Sequence, residues 1–355
     1  MRRRTRLSPA CLMLAVVTGG AGGLAGPVSA SPREVDPMPW LGLAAQLVGP
    51  LAPSSISEGT DGRLTMLLVG SDWRARLAGT GERTDSIMVV TINNSHQISA
   101  VSIPRDVGNV PIAPGTIFKP KINGLFKYLR QNSVGSRNVA LDKLRVAIAY
   151  ALRIQIDYVV YIRFTGFERL VGEVGGIPTA VPYDIHDGHI NDERSSLQNG
   201  AKFVTSASTL MRGSTAPPCY TVSQPINWNA SPTCTRALLF VRSRHGPGNN
   251  DWRRARRQQT LVFDAIRRVI ARGSGADLEA LRLSALSNSS DFYTTLPTGA
   301  ADALAMFNLL AGATMQHQAV FKPPTYASNV PGTYKQQLNL DAVWALTHDW
   351  FGPLN

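Results

Sequence analysis

From Arg63 onward the chain alternates short apolar runs with stretches of helical spacing, and this alternation constrains the fold more than any other feature. "RLTMLLVG" (63–70) is an apolar run closed by glycine, of a length suited to a buried strand. "SIMVVTIN" and "ISAVSIP" read as two more strands, joined by the polar turn Asn93-Asn94-Ser95-His96. Helical spacing covers 123–129 and 140–152, followed by the strand "YVVYIRF" and a helix over 165–174 that stops at Gly175-Gly176. Between 185 and 235 the pattern dissolves into Asn, Ser, Pro and Thr, the mark of a long insertion. Order resumes with "ALLFVRSR", read as a strand, then a helix over 251–272, a helix over 298–310, and a last strand and helix near Ala319 and over 340–351. Strands alternating with helices predict one layered α/β domain over 61–355.

Charged residues gather at the predicted strand ends, where open α/β sheets place their ligands. Asp72 follows the first strand, Arg83 and Asp85 immediately precede the second, and Arg105 with Asp106 ends the third. Arg242 and Arg244 end a later strand and, two residues apart, share a face. Asp251 is placed to cap the next helix, whose N-terminal amides favour an anion. On that helix Arg254, Arg257 and Gln258 lie at i, i+3 and i+4 and can share a face. A strand pair of arginines and a helix group together make a clamp for phosphate, because guanidinium forks suit multidentate oxyanions. Asp72 and Asp85, at the ends of neighbouring strands, are a candidate pair for Mg²⁺ or Mn²⁺ on a pyrophosphate. The six histidines make no competing constellation, and there is no Gly-rich phosphate loop.

The excess of basic residues, +12 with a pI near 10.0, calls for polyanionic partners. The N-terminus decides which. Arg2, Arg3, Arg4 and Arg6 precede an uncharged run from Leu7 to Ser31, and Val28-Ser29-Ala30 has the small residues of a signal-peptidase site. Residues 1–31 are therefore read as a signal peptide or an N-terminal membrane anchor, and 32–60 as a juxtamembrane linker. Export places the protein outside the cytoplasm, bound to the membrane or released into the cell envelope, and excludes nucleic acid as a partner. Beyond Cys11 in the signal, Cys219 and Cys234 remain and are read as a disulfide worth about 3 kcal/mol.

In order along the chain, "LLVGSDWR", "GERTDSIMVVTI", "AVSIPRDV", "KING", "IDYVVYIRFTGFERLVGEVGGI" and "LLFVRSRHGPGNNDWRRARRQQ" resemble the successive blocks of the LytR-CpsA-Psr family. The resemblance implies a single α/β/α domain with a central mixed sheet and a hydrophobic pocket for a prenyl chain. It implies an extracytoplasmic, Mg²⁺-dependent phosphotransferase that moves a glycopolymer from polyprenyl pyrophosphate to peptidoglycan through a phosphodiester, at a membrane surface. The family's metal aspartates fall on Asp72 and Asp85, and its phosphate-binding positions on Arg83, Arg105, Lys121, Arg242, Arg244, Arg254 and Gln258. One departure is visible: the family's usual Asp-Gly pair before "RSR" is replaced by "NASPTCTRALLFVRSR", behind the long insertion.

In the expected reaction Arg105 and Arg244 stabilise developing charge, and Asp251 or Asp106 is the candidate general base. Two other readings use the same residues. One is a metal-dependent pyrophosphatase of prenyl-linked substrates, with water as the nucleophile; the other is a non-catalytic binder of envelope polyanions or glycopolymers.

Overall fold

The computed structural model describes residues 54–56, 59, 61–73, 82–132, 136–174, 176–181, 183, 185–190, 201–205, 233–272, 282–283 and 290–352. The expected signal or anchor (1–31) and Cys219 of the expected disulfide lie outside these residues. The described residues fall within one compact unit, Pro50–Asn355.

At its centre is a six-stranded mixed sheet built on β1 (Arg63–Ser71), β2 (Thr84–Asn93) and β3 (Gln97–Ser102). β2 lies antiparallel to both neighbours, Val69 opposite Ile87 and Val90 opposite Ala100. The predicted turn at Asn93 to His96 closes the β2–β3 hairpin, and the Asn93 side chain accepts from the amides of Ser95 and Gln97. Three short strands follow: β4 (Val107–Gly108), β5 (Val110–Ala113) and β6 (Thr116–Phe118). Next come α1 (Leu125–Gln131), α2 (Arg137–Leu152) and β7 (Tyr158–Arg163), which returns parallel to β1 on its other side. That crossover through α2 is the α/β unit foreseen from the sequence.

Both faces of the sheet are covered, so its inner strands are buried along both faces and are mostly apolar, with Thr65, Thr91 and Ser99 as buried polar exceptions. Ile87 and Val89 of β2 pack with Leu141, Leu144 and Ile148 of α2. Met88, Val90 and Ile92 point the other way, towards Phe263 and Ile266. The latter belong to α5 (Asp251–Arg272), which follows α3 (Phe164–Glu173), β8 (Ile185–Ile190), β9 (Ala201–Thr205) and α4 (Thr233–Arg242). The chain closes with β10 (Phe292–Thr294), α6 (Ala300–Leu310), β11 (Thr314–Val320), β12 (Ala327–Asn329), β13 (Gln336–Leu338) and α7 (Leu340–Phe351). β10 and β11 form the two edges of the main sheet, while β12, β13 and β4 make a small second sheet.

Two expectations are corrected here. "ALLFVRSR" is not a strand: Thr233–Arg242 is helix α4, and Ser243 and Arg244 lie beyond its end. A short, continuous apolar run fits a buried helix as well as a buried strand, and here Leu238, Leu239 and Phe240 are all buried against neighbouring helices. The segment from 185 is also not patternless at its start, because β8 and β9 pair as an antiparallel hairpin. Residues 206–232 of it lie outside the described residues.

Candidate active site

The end of β1 and the start of β2 are clasped together by backbone. The Asp72 amide donates to the Arg83 carbonyl at 3.0 Å, and the Arg83 amide returns to Asp72 Oδ1 at 2.9 Å. Beneath this clasp lies Glu82, whose buried carboxylate accepts from Ser71 Oγ at 2.5 Å, from Arg130 Nη1 at 3.1 Å and from the Tyr161 hydroxyl. Arg163, at the end of β7, pairs with the same carboxylate at 3.5 Å and stacks its guanidinium 4.0 Å from the centre of the Trp73 ring. Such a buried charge needs several partners, and it has them. Sequence reasoning passed over Glu82 and Arg163.

Asp85 projects from β2 beside Arg105, which follows β3. Arg105 Nη1 lies 3.1 Å from both carboxylate oxygens, and Asn123 Nδ2 donates to Oδ1 at 3.4 Å. Burial disfavours the charged carboxylate, but Arg105, Arg254 and Asn123 together outweigh it and hold Asp85 below the usual carboxylate range.

Asp251 joins three arginines. Its carboxylate lies 3.0 Å from Arg254 Nη2, 3.8 Å from Arg105 Nε and 3.9 Å from Arg244 Nη1. Asp251, read from the sequence as the helix cap, is not the cap. Asn250 takes that role, its Oδ1 accepting the Arg253 amide at 2.9 Å, and Asp251 is the first residue of α5. Burial lowers the pKa of Arg254 despite its acidic neighbours, so its charge is sustained against a cost.

The helical-face argument holds for two of its three residues. Arg254 and Gln258 line one cavity with Arg242 and Arg244. Arg257, expected beside them, is 2% exposed and spends its donors on protein: Nε on the Phe240 carbonyl at 2.8 Å, Nη1 on Asn249 Oδ1 at 3.0 Å and on the Tyr183 hydroxyl, Nη2 on the Ser243 carbonyl. It ties α4 to α5 and does not face the cavity. Arg242 and Arg244 do share that cavity, though not as alternating strand residues; Arg242 closes α4, with its guanidinium 4.5 Å from the centre of the Phe164 ring. Arg83 is exposed and does not line the cavity. Lys121 does not line the cavity and pairs with Asp106 at 2.7 Å.

Asp187 on β8 shapes the segment that carries Arg244. One of its oxygens accepts from Ser243 Oγ at 2.8 Å, the Arg244 amide at 2.9 Å and the His245 amide at 3.0 Å. Its place in a polar insertion gave no sequence signal for this role.

The cavity itself encloses about 680 Å³. Its walls are apolar side chains of α3, α4, α5 and the sheet, among them Phe167, Val171, Leu238, Leu261 and Met88. Its lining also includes Arg105, Arg163, Arg242, Arg244 and Arg254 with Asp72 and Asp85. The Nε atoms of Arg105 and Arg254 are buried and make no hydrogen bond, and Arg105 Nε faces Asp251 Oδ1 at 3.8 Å. Asp72 and Asp85 also fit a hard divalent cation. Both carboxylates line the cavity, and Mg²⁺ takes oxygen ligands, often one or two carboxylates with its waters kept; among the described residues no cluster of three or more His, Cys, Asp or Glu side chains occurs. The opposite end of the cavity meets Ile56 and Asp302, where Asp302 Oδ1 accepts the Ser55 amide at 2.7 Å. Among the described residues no helix is long and apolar enough to cross a membrane.

Residues 48–216 match the LytR_cpsA_psr family. A polyisoprenyl-teichoic acid–peptidoglycan teichoic acid transferase, TagV of Bacillus subtilis, is 25% identical over 211 residues, covering 59% of this chain and 45% of the relative. TagU of Bacillus mycoides, with the same activity in its name, is 24% identical over 234 residues, covering 66% of this chain and 58% of the relative. The chain thus spans about half the length of these curated relatives. The crystal structure of B. subtilis TagV aligns with a TM-score of 0.53 at 19% identity, over 82% of this chain and 98% of that one. TagT bound to LIIa-WTA aligns with a TM-score of 0.51 at 20% identity, over 86% and 97%. Those structural identities show the shared fold alone. Over residues 48–216 the chain is thus similar to the LytR_cpsA_psr family, and it has the central mixed sheet of an α/β fold.

Proposed function

We propose that this protein transfers a glycopolymer from a polyprenyl-pyrophosphate carrier to peptidoglycan, forming a phosphodiester, on the outer side of the membrane. One observation carries the reading: a single cavity combines extensive apolar walls with Arg105, Arg242, Arg244 and Arg254 in its lining. That division matches a ligand with a prenyl tail and a pyrophosphate head. The names of the relatives, transferases of teichoic acid from polyisoprenyl carriers to peptidoglycan, support the same assignment.

In this reading Arg105, Arg244 and Arg254 grip the two phosphates, with Arg242 and Gln258 at the entrance to the prenyl channel. Arg83 and Lys121 lie outside that grip and add positive charge around the approach. Asp72 and Asp85 would hold a Mg²⁺ ion, which supplies charge neutralisation on the pyrophosphate. A sugar hydroxyl of peptidoglycan attacks the phosphorus attached to the glycan. The new oxygen–phosphorus bond forms as the bond to the bridging oxygen breaks, and polyprenyl phosphate departs with the electron pair. Asp251 orients the hydroxyl and receives its proton, while Arg105 and Arg244 stabilise the charge on the phosphoryl oxygens. A loose phosphoryl-transfer transition state relies more on such positioning than on a strong base.

The test combines residues from about Ser54 onward with a short-chain prenyl-pyrophosphate glycan, peptidoglycan oligomers and Mg²⁺, with products read by mass spectrometry. A phosphodiester-linked adduct that disappears in Asp85→Asn supports transfer. Free glycan phosphate without adduct points to a pyrophosphatase, and retained binding without turnover to a non-catalytic binder.

A further inference from the structure

A second recess adjoins the site without sharing a lining residue with the main cavity. It encloses about 150 Å³ and is lined by Pro104, Asp106, Asn250, Asp251, Trp252 and Gln336. Two features connect it to the chemistry. Arg105 lines the main cavity while its neighbour Asp106 lines the recess, so consecutive residues face the two spaces. Asp251 lines the recess while its carboxylate pairs with Arg105, Arg244 and Arg254, all of which line the main cavity. Asp251 is thus the partition between them.

The lining determines what such a space accepts. The lining carries two carboxylates and no cation of its own, so it suits a neutral, hydroxyl-bearing group better than the anionic donor. Carboxylates and amides accept and donate to hydroxyls, and the indole of Trp252 offers a flat apolar face. The Gln336 Oε1 atom is buried without a hydrogen-bond partner, an acceptor that a ligand hydroxyl would satisfy. Gln336 is held in place by backbone: its amide donates to the Asp106 carbonyl at 3.0 Å, and β13 pairs with β4 at Val107. The small second sheet therefore serves as a wall of this recess.

We infer that the recess is the acceptor subsite, which seats one sugar ring of peptidoglycan and presents its hydroxyl across Asp251 to the phosphorus held by the arginines. The inference rests on the transferase reading above, and it assigns Trp252 and Gln336 as acceptor-binding residues. The volume suits a single ring, with the rest of the strand running outside.

Calorimetry on the wild type, Gln336→Ala, Trp252→Ala and Trp252→Phe separates the two claims. Each is titrated with soluble peptidoglycan oligomers and, independently, with a short-chain prenyl pyrophosphate. The expected result is a loss of oligomer affinity of about tenfold or more in Gln336→Ala and Trp252→Ala, partial recovery in Trp252→Phe, and unchanged prenyl-pyrophosphate affinity, which also reports that the variants are folded. Oligomer affinity equal to wild type in both alanine variants, or no oligomer binding to the wild type, overturns the subsite. Failure of the wild type to bind prenyl pyrophosphate would instead overturn the broader reading.

Discussion

Arg105 touches Asp85 through one nitrogen, Nη1, which lies 3.1 Å from both carboxylate oxygens, and turns its Nε towards Asp251 at 3.8 Å. One guanidinium thus links a candidate metal ligand to Asp251, which lines the smaller recess beside the main cavity.

This pairing sets a pH dependence. Burial alone would raise the Asp85 pKa, and the Arg105 charge is the largest influence that reverses it. A depressed carboxylate contributes above its unfolded pKa and loses that contribution as pH falls through the lower, folded value. In Arg105→Ala burial gains weight, so Asp85 protonates at higher pH. Mg²⁺-dependent donor binding, followed by titration on the acid side, should fail at a higher pH in the variant than in the wild type; an unmoved acid limb would show that Arg105 does not govern Asp85.

Arg244 and Arg257 should part ways on mutation. Arg244→Ala removes a half-exposed guanidinium with only long ion pairing, so stability should change by less than about 1 kcal/mol while transfer is lost. Arg257→Ala strands the Phe240 and Ser243 carbonyls in the interior and should cost roughly 2–5 kcal/mol. Thermal melts read beside transfer activity distinguish them.

Asp187→Ala removes the acceptor for three donors of the Ser243 to His245 segment. With that segment released, Arg244 loses its fixed direction, and kcat should fall on the order of tenfold or more, since small misplacements of a positioning group are costly. Steady-state kinetics on the folded variant provide the check.

Filling the channel should discriminate by chain length. Ala265 on α5 lines the apolar part of the cavity. Ala265→Trp should weaken binding of a long-chain prenyl-pyrophosphate glycan while leaving a two-isoprene analogue close to wild type. Equal loss for both chain lengths would place the hydrocarbon elsewhere.

Much of this site is legible in the sequence for physical reasons that can be named. Asp72, Asp85 and Arg105 stand at the ends of glycine- or turn-bounded apolar runs, and those ends converge in a layered sheet. Helix α5 is readable to its limits because the 3.6-residue period persists over all of Asp251–Arg272. Periodicity does not say which side of a wide polar face meets the cavity, so Arg254 and Arg257 look alike until α4 is placed against α5. The α4 segment itself was ambiguous because its apolar run is too short to show a period. Glu82, Arg163 and Asp187 were invisible for a third reason: their partners are far away in sequence, as with Glu82 and Tyr161, 79 residues apart.

The central claim is that one cavity seats both the prenyl chain and the pyrophosphate of the donor, and a crystal structure with a prenyl pyrophosphate and Mg²⁺ tests it most directly. The account predicts phosphate density against Arg105, Arg244 and Arg254 and hydrocarbon density running past Phe167 and Leu261 into the interior. Phosphate density away from those arginines, or a prenyl chain lying on the outer surface with the cavity empty, would contradict it.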